Sequence, residues 1–153
     1  MKPSSPTSVC CSDLADIEFC IQGTALTKAQ GLFPSVDIGF DLRVQQPDKS
    51  WVVRCTLRDV CKLHTNLSQK VADPAFINEI ARLAYPKQPF FNRRDTFVIK
   101  GLCVELDHYM DELLRLCRRF TATGNNTADA NIVEQYVREF FASSATVAAT
   151  SPI

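Results

Sequence analysis

Six cations in the middle of this sequence could gather around one anion: Arg54, Arg58, Lys87, Arg93, Arg94 and Lys100. Phosphate groups are held by cations in fixed geometry, and arginine adds bidentate hydrogen bonds. Arg54 lies two residues before Thr56 in an extended run, so both side chains face the same way. Arg58 opens a helical run, where a cation opposes the helix dipole unless an anion lies near. Lys87 stands between Pro86 and Pro89, and Arg93, Arg94 and Lys100 lead from that loop into the next helix. Phe90 and Phe91 are adjacent in the same loop, between Pro89 and the Asn92-Arg93-Arg94 triplet. An apolar tip framed by cations is what a peripheral membrane protein inserts into a bilayer. The bland alternatives are solvated surface charges and one Phe plugging the core beneath the loop.

These residues must be placed on a fold, and composition bounds it. A chain of 153 residues, 46% hydrophobic and 22% charged, fits one globular domain with short tails. Net charge is zero, but residues 51–100 carry nine basic and four acidic groups, while both flanking thirds are net acidic. That unevenness indicates a local anion site, and the lack of an overall basic excess argues against nucleic acid as partner. No run of the sequence approaches the ~18 apolar residues of a membrane span, and the Pro/Ser-rich start does not read as a signal peptide.

Little else could carry chemistry. Two histidines do not assemble a nucleophile–base set or a paired-carboxylate site, and no Gly-rich phosphate loop is present, so no enzyme or cofactor is expected. His64 lies on an apolar helical stripe and reads as a packed core histidine. The seven cysteines are irregularly spaced without metal-ligand spacing, which disfavours zinc and a disulfide framework. Cys20, Cys61, Cys103 and Cys117 are expected as mostly buried thiols among apolar neighbours, and Cys10 and Cys11 fall in a tail.

The periodicity then supplies the elements. Ile17, Phe19 and Ile21 alternate as a first strand, and Val36, Ile38, Phe40, Leu42 and Val44 as a second with one wet face. Turn residues from Gln45 to Ser50 precede a third strand, Trp51 to Thr56, giving an antiparallel three-stranded meander. From Leu57 the spacing changes to three and four through Val60, Leu63, His64, Leu67 and Val71, an amphipathic helix that Asp73-Pro74 ends. A short helical turn is expected from Phe76 to Leu83, and a loop from Tyr85 to Asp95. A long helix runs from about Thr96 to Phe120, a polar connection from Thr121 to Ala130, and a last helix from about Ala130 to Ala142. The class is α+β: a three-stranded antiparallel meander followed by a helical subdomain with a proline-rich loop.

This order resembles that of phox-homology (PX) domains, over roughly residues 16–142. Trp51 to Val60 with Leu63-His64 resembles the family's segment of an arginine, an aromatic and Ser-Asp-Phe, followed by Leu-His. Tyr85-Pro86-Lys87 resembles the end of its proline-rich stretch. Leu106 to Leu114 resembles its Leu-Glu-x-Tyr-Leu-x-x-Leu-Leu helix, and Val137 to Phe141 its terminal helix. The resemblance implies a PX-like fold and a module that binds phosphoinositide headgroups and inserts its proline-rich loop. It maps the family lysine onto Lys87. The family's two arginines fall on Thr56 and Leu102, and its ring-stacking aromatic on Leu57, which implies a non-standard headgroup preference. The expected organisation is a disordered tail over residues 1–15, the domain over 16–142 and a disordered tail over 143–153. The expected setting is the cytosolic face of endosomal or other membranes. Two functions stay open: binding of phosphoinositide or other anionic lipid, through Arg54, Arg58, Lys87, Arg93, Arg94 and Lys100 with Phe90 and Phe91 inserted, or a degenerate PX-like protein-interaction module.

Overall fold

In the computed structural model the described residues are 14–29, 35–87, 95–123 and 127–143. A helical turn at residues 14–16 (α1) leads into β1 (Glu18–Ala29), β2 (Ser35–Gln46) and β3 (Lys49–Thr56), an antiparallel sheet in the order β1-β2-β3. Four helices follow: α2 (Leu57–Lys70), α3 (Pro74–Ala81), α4 (Thr96–Thr123) and α5 (Thr127–Ser143). The α+β class, with a three-stranded meander ahead of a helical subdomain, is therefore the one the sequence predicts.

The inner face of the sheet is built by alternation. Ile38, Phe40, Leu42 and Val44 of β2 and Val53 and Cys55 of β3 are buried, and the residues between them form the outer face. Burying a side chain the size of Phe40 contributes roughly 1.5–3 kcal/mol. The first strand is longer than its apolar pattern, because the register shifts between Ile21 and Gly23. Phe19 and Ile21 pair with the inward Val44 and Leu42, whereas beyond the shift it is Thr24 and Leu26 that pair with the inward Phe40 and Ile38. A bulge flips the side-chain phase and hides the period of two. Between β2 and β3 the pairing continues to Gln46 and Lys49, so the turn is the two-residue Pro47-Asp48, tighter than the expected Gln45–Ser50.

The helices close over that inner face. Leu57, Val60, Leu63 and Leu67 form the buried stripe of α2, and Asp73 caps α3 by accepting from the Phe76 amide at 3.1 Å, with Pro74 in the first turn. The long helix α4 buries Leu102, Leu106, Tyr109, Met110, Leu113 and Leu114. It continues past Phe120 because the hydroxyls of Thr121 and Thr123 hydrogen-bond carbonyls of the preceding turn, Cys117 at 2.9 Å and Phe120 at 2.8 Å, so polar residues fit within the helix. Helix α5 starts at Thr127, earlier than the expected Ala130. The buried carboxylate of Asp129 in its first turn accepts from the amides of Ala72 at 3.3 Å and Asp73 at 2.9 Å. That pair of bonds fixes the α2–α3 connection to α5.

The boundary of the domain needs one correction. Leu14 falls within the expected N-terminal tail, yet it is fully buried and Arg118 donates to the carbonyls of Leu14 and Ile17. Among the described residues, core and hydrogen bonds thus already include Leu14. The rest of that tail, and the C-terminal tail beyond Ser143, lie outside the described residues. Cys20 is also exposed rather than packed, since it pairs with Arg43 on the outer face of the sheet. Cys55 and Cys117 are buried, and burial holds both thiols up at about 12, in the neutral form.

Candidate functional site

The outer face of the sheet carries one of the expected cations, and the helix that follows carries a second. Arg54 on β3 stands directly opposite Asp41 on β2. Its guanidinium donates twice to that carboxylate, Nε to Oδ1 at 2.7 Å and Nη2 to Oδ2 at 3.2 Å. The hydrogen bonds and charge of Asp41 push the Arg54 pKa up. The stem of Arg54 lies across Gly39, its Cδ 3.5 Å from where a Cβ would stand, so the side chain runs along the sheet rather than away from it. Four residues further along, Arg58 in the first turn of α2 places Nη2 3.9 Å from Oδ2 of Asp37. Arg58 is 78% exposed and Arg54 51%, so both remain reachable from solvent.

Between these pairs stand the positions that the PX resemblance assigns to an arginine and an aromatic. Thr56 is the N-cap of α2: its Oγ1 accepts from the Asp59 amide at 3.3 Å, while the Asp59 carboxylate accepts from the Thr56 amide at 2.9 Å. This reciprocal box satisfies the first turn of the helix. Leu57 is in the core, as is Leu102, the other position assigned to an arginine. Capping and core packing thus occupy all three.

A third piece is the stretch that presents Lys87. Tyr85 packs its ring 4.8 Å from the ring of His64 on α2 and edge-on to Tyr109 of α4 at 6.4 Å. Nδ1 of His64 lies 2.8 Å from the Tyr109 hydroxyl. Burial lowers the His64 pKa and raises that of Tyr109, so both are neutral at pH 7 and share a hydrogen bond. The Tyr85 pKa is raised, chiefly by its side-chain hydrogen bond with Cys61. His64 is half-buried rather than in the core, and its ring packs against Tyr85 at the edge of α2. Pro86 is buried behind this anchor and Lys87 is exposed.

Lys100 belongs elsewhere. It lines a cavity of about 370 Å³ between the start of α4 and β1, together with Gln22, Gly23, Thr24, Thr96 and Cys103. Since β1 and β3 are opposite edges of the sheet, Lys100 and Arg54 do not share a pocket wall. Around it α4 turns Phe97, 83% exposed, and Val104, 70% exposed, away from the protein. At 100° per residue both lie on the pole opposite the buried Leu102, Leu106, Tyr109 and Leu113. Asp95 caps this helix through the Phe97 and Val98 amides, at 2.7 and 3.3 Å.

Of the expected site residues, Arg54 and Arg58 each lie near a carboxylate of β2, Asp41 and Asp37, Lys87 is exposed beyond the Tyr85 anchor, and Lys100 lies at the far edge of the sheet. Phe90, Phe91, Arg93 and Arg94 lie outside the described residues. Sequence reasoning missed Asp37 and Asp41, although the alternation of β2 puts both on its wet face. It also missed Phe97, which a helical projection of α4 would have set opposite the core stripe. Among the described residues no group of three His, Cys, Asp or Glu side chains is placed to hold a metal ion, and no helix is long and apolar enough to cross a membrane.

No protein-family model matches this chain, and no curated protein matches it. Among solved structures it is similar to the crystal structure of the mouse SNX19 PX domain with bound sulphate ion. The identity is 17% and the TM-score 0.49, over 82% of this chain and 96% of that one.

Proposed function

We propose that this chain is a peripheral membrane module that binds anionic lipid, with a phosphoinositide headgroup as the anion taken by its basic residues. The observation that carries the reading is Phe97, an aromatic in the first turn of α4 that is 83% exposed, with Lys100 one turn further on. A large apolar side chain held out by a capped helix beside a cation gains from partial burial in a bilayer, and the cation gains from an anionic surface. The helix directly follows the sequence segment that contains Phe90, Phe91, Arg93 and Arg94. Arg58, Arg54 and Lys87 are exposed and supply headgroup contacts in this reading. The setting that fits is the cytosolic face of endosomal or other membranes, as the PX resemblance implies.

One observation favours a second reading, a PX-like protein-interaction module without specific lipid binding. Thr56, Leu57 and Leu102 hold structural roles at the positions where the resemblance expects headgroup contacts. Co-sedimentation with vesicles across the phosphoinositide series, with phosphatidylserine at matched charge and salt varied, separates the two. Selective binding that Lys87→Ala weakens supports the headgroup site. Binding that tracks total charge alone and fades with salt removes the headgroup but keeps the membrane. No binding to any anionic vesicle leaves the second reading.

A further inference from the structure

Arg54 and Arg58 differ in how firmly they are held, and the difference has a consequence for ligand choice. Arg54 offers both oxygens of Asp41 its Nε–Nη2 edge, at 2.7 and 3.2 Å. That edge is the one a phosphate or carboxylate ligand would also take, because two parallel N–H donors match two oxygens of an oxyanion. Arg58 meets Asp37 only at 3.9 Å and is more exposed. Asp41 comes from the neighbouring strand at the directly paired position, so its backbone keeps the carboxylate beside Arg54 and an incoming ligand must compete with it. Its own side chain is only 23% exposed, which makes leaving it without a partner unfavourable.

We infer that Asp41 is a specificity-determining residue: its carboxylate competes with incoming anions for Arg54 and thereby selects multiply charged phosphate headgroups over singly charged lipids. The inference rests on the lipid-binding reading above. Exchanging one singly charged oxyanion for another at Arg54 brings no Coulombic gain and strands the Asp41 charge. A headgroup with two phosphomonoesters, each carrying about −1.5 to −2 at neutral pH, outweighs that loss. A ligand of low charge therefore finds Arg58 but not Arg54. This is selection by displacement: the fold holds an internal anion that weak competitors do not remove.

The test uses the full chain and vesicles of phosphatidylcholine doped with either phosphatidylserine or a bisphosphorylated phosphoinositide, at equal total charge. Asp41→Asn frees Arg54 and is expected to raise binding to phosphatidylserine vesicles roughly fivefold, the factor corresponding to an exposed ion pair at the upper end of its usual strength. Binding to the bisphosphorylated lipid should rise less, so the preference narrows. Arg54→Gln added to Asp41→Asn should abolish the gain, because the gain acts through Arg54. Asp41→Ser serves as a second variant should the Asn amide itself engage Arg54, and thermal melting confirms that each protein is folded. An equal rise for both lipids, or a rise that persists with Arg54→Gln, is a general charge effect and overturns the inference. So does wild-type binding whose preference Asp41→Asn leaves unchanged, although the lipid-binding reading then stands. Absence of anionic-vesicle binding by wild type and all variants overturns that reading and the inference together.

Discussion

The indole N–H of Trp51 donates to the main-chain carbonyl of Phe141 at 2.8 Å, across 90 residues of sequence. Trp51 belongs to β3 and Phe141 to the last turn of α5, so this bond ties the meander to the final helix. Phe141 also packs its ring against Phe19 of β1, centroids 6.4 Å apart. One residue of α5 therefore meets the sheet at both of its edge strands.

Trp51→Phe keeps an aromatic ring but leaves the Phe141 carbonyl without this donor. The expected cost is about 1 kcal/mol, the usual net value of such a hydrogen bond, read as a lower urea midpoint followed by far-UV circular dichroism. An unchanged midpoint would mean that water satisfies the carbonyl and that α5 is held by its apolar contacts alone. Trp51 is the sole tryptophan of the chain, so its fluorescence in the wild-type protein reports the docking of α5.

The pH dependence of stability should carry the mark of His64. Burial lowers its pKa in the folded protein, so the fold prefers the neutral ring that shares a hydrogen bond with Tyr109. The unfolded chain takes up a proton near the ordinary value, about 6.5. The contribution of His64 is then complete above that pH and is lost as the pH falls through it toward the lowered folded value. Melting temperature should fall between pH 7.5 and pH 5.5, and His64→Gln should flatten that fall. A slope that survives the substitution would place its origin in other groups.

Thr56 poses a choice between stability and binding. As N-cap of α2 it forms the reciprocal box with Asp59, and Thr56→Ala should cost about 1 kcal/mol. Thr56→Arg restores the cation that the PX resemblance expects at this position, next to Arg54 and Arg58, while losing the same cap. The expected outcome is a less stable protein that binds phosphoinositide vesicles more tightly. Loss of stability without any gain in binding would show that this face does not take a headgroup.

Where the sequence was legible, one period and one buried face acted together. The alternation from Ile38 to Val44 and the stripe Leu57, Val60, Leu63, Leu67 each describe an element with a single wet side, and each forms as read. Legibility failed at Gln22, where the bulge reverses the phase of β1, and at Thr121, where hydroxyls returning to the preceding turn let α4 run on through polar residues. The site was harder to read for a different reason. Arg54 was visible as a cation, but its availability depends on Asp41, thirteen residues away in sequence and adjacent only through strand register. Charge is written residue by residue, whereas the pairing of charges is a property of the folded sheet.

Phe97 offers the most direct test of membrane contact, because its role in the fold is small. With 83% of its surface exposed, Phe97→Ser should leave the melting temperature within experimental error. Its backbone amide still donates to Asp95, so the helix cap survives the change. If the side chain enters the bilayer by about half, the lost transfer energy is roughly 0.75 to 1.5 kcal/mol, which corresponds to about a three- to tenfold weaker vesicle partition. Val104→Ser, two turns along the same pole of α4, should cost less, since the smaller side chain has less apolar surface to bury. Equal partition of wild type and both variants would take α4 off the membrane and leave the basic residues as the whole of the contact. A deficit for Phe97→Ser alone would put only the first turn of the helix at the bilayer, next to the segment that carries Phe90 and Phe91.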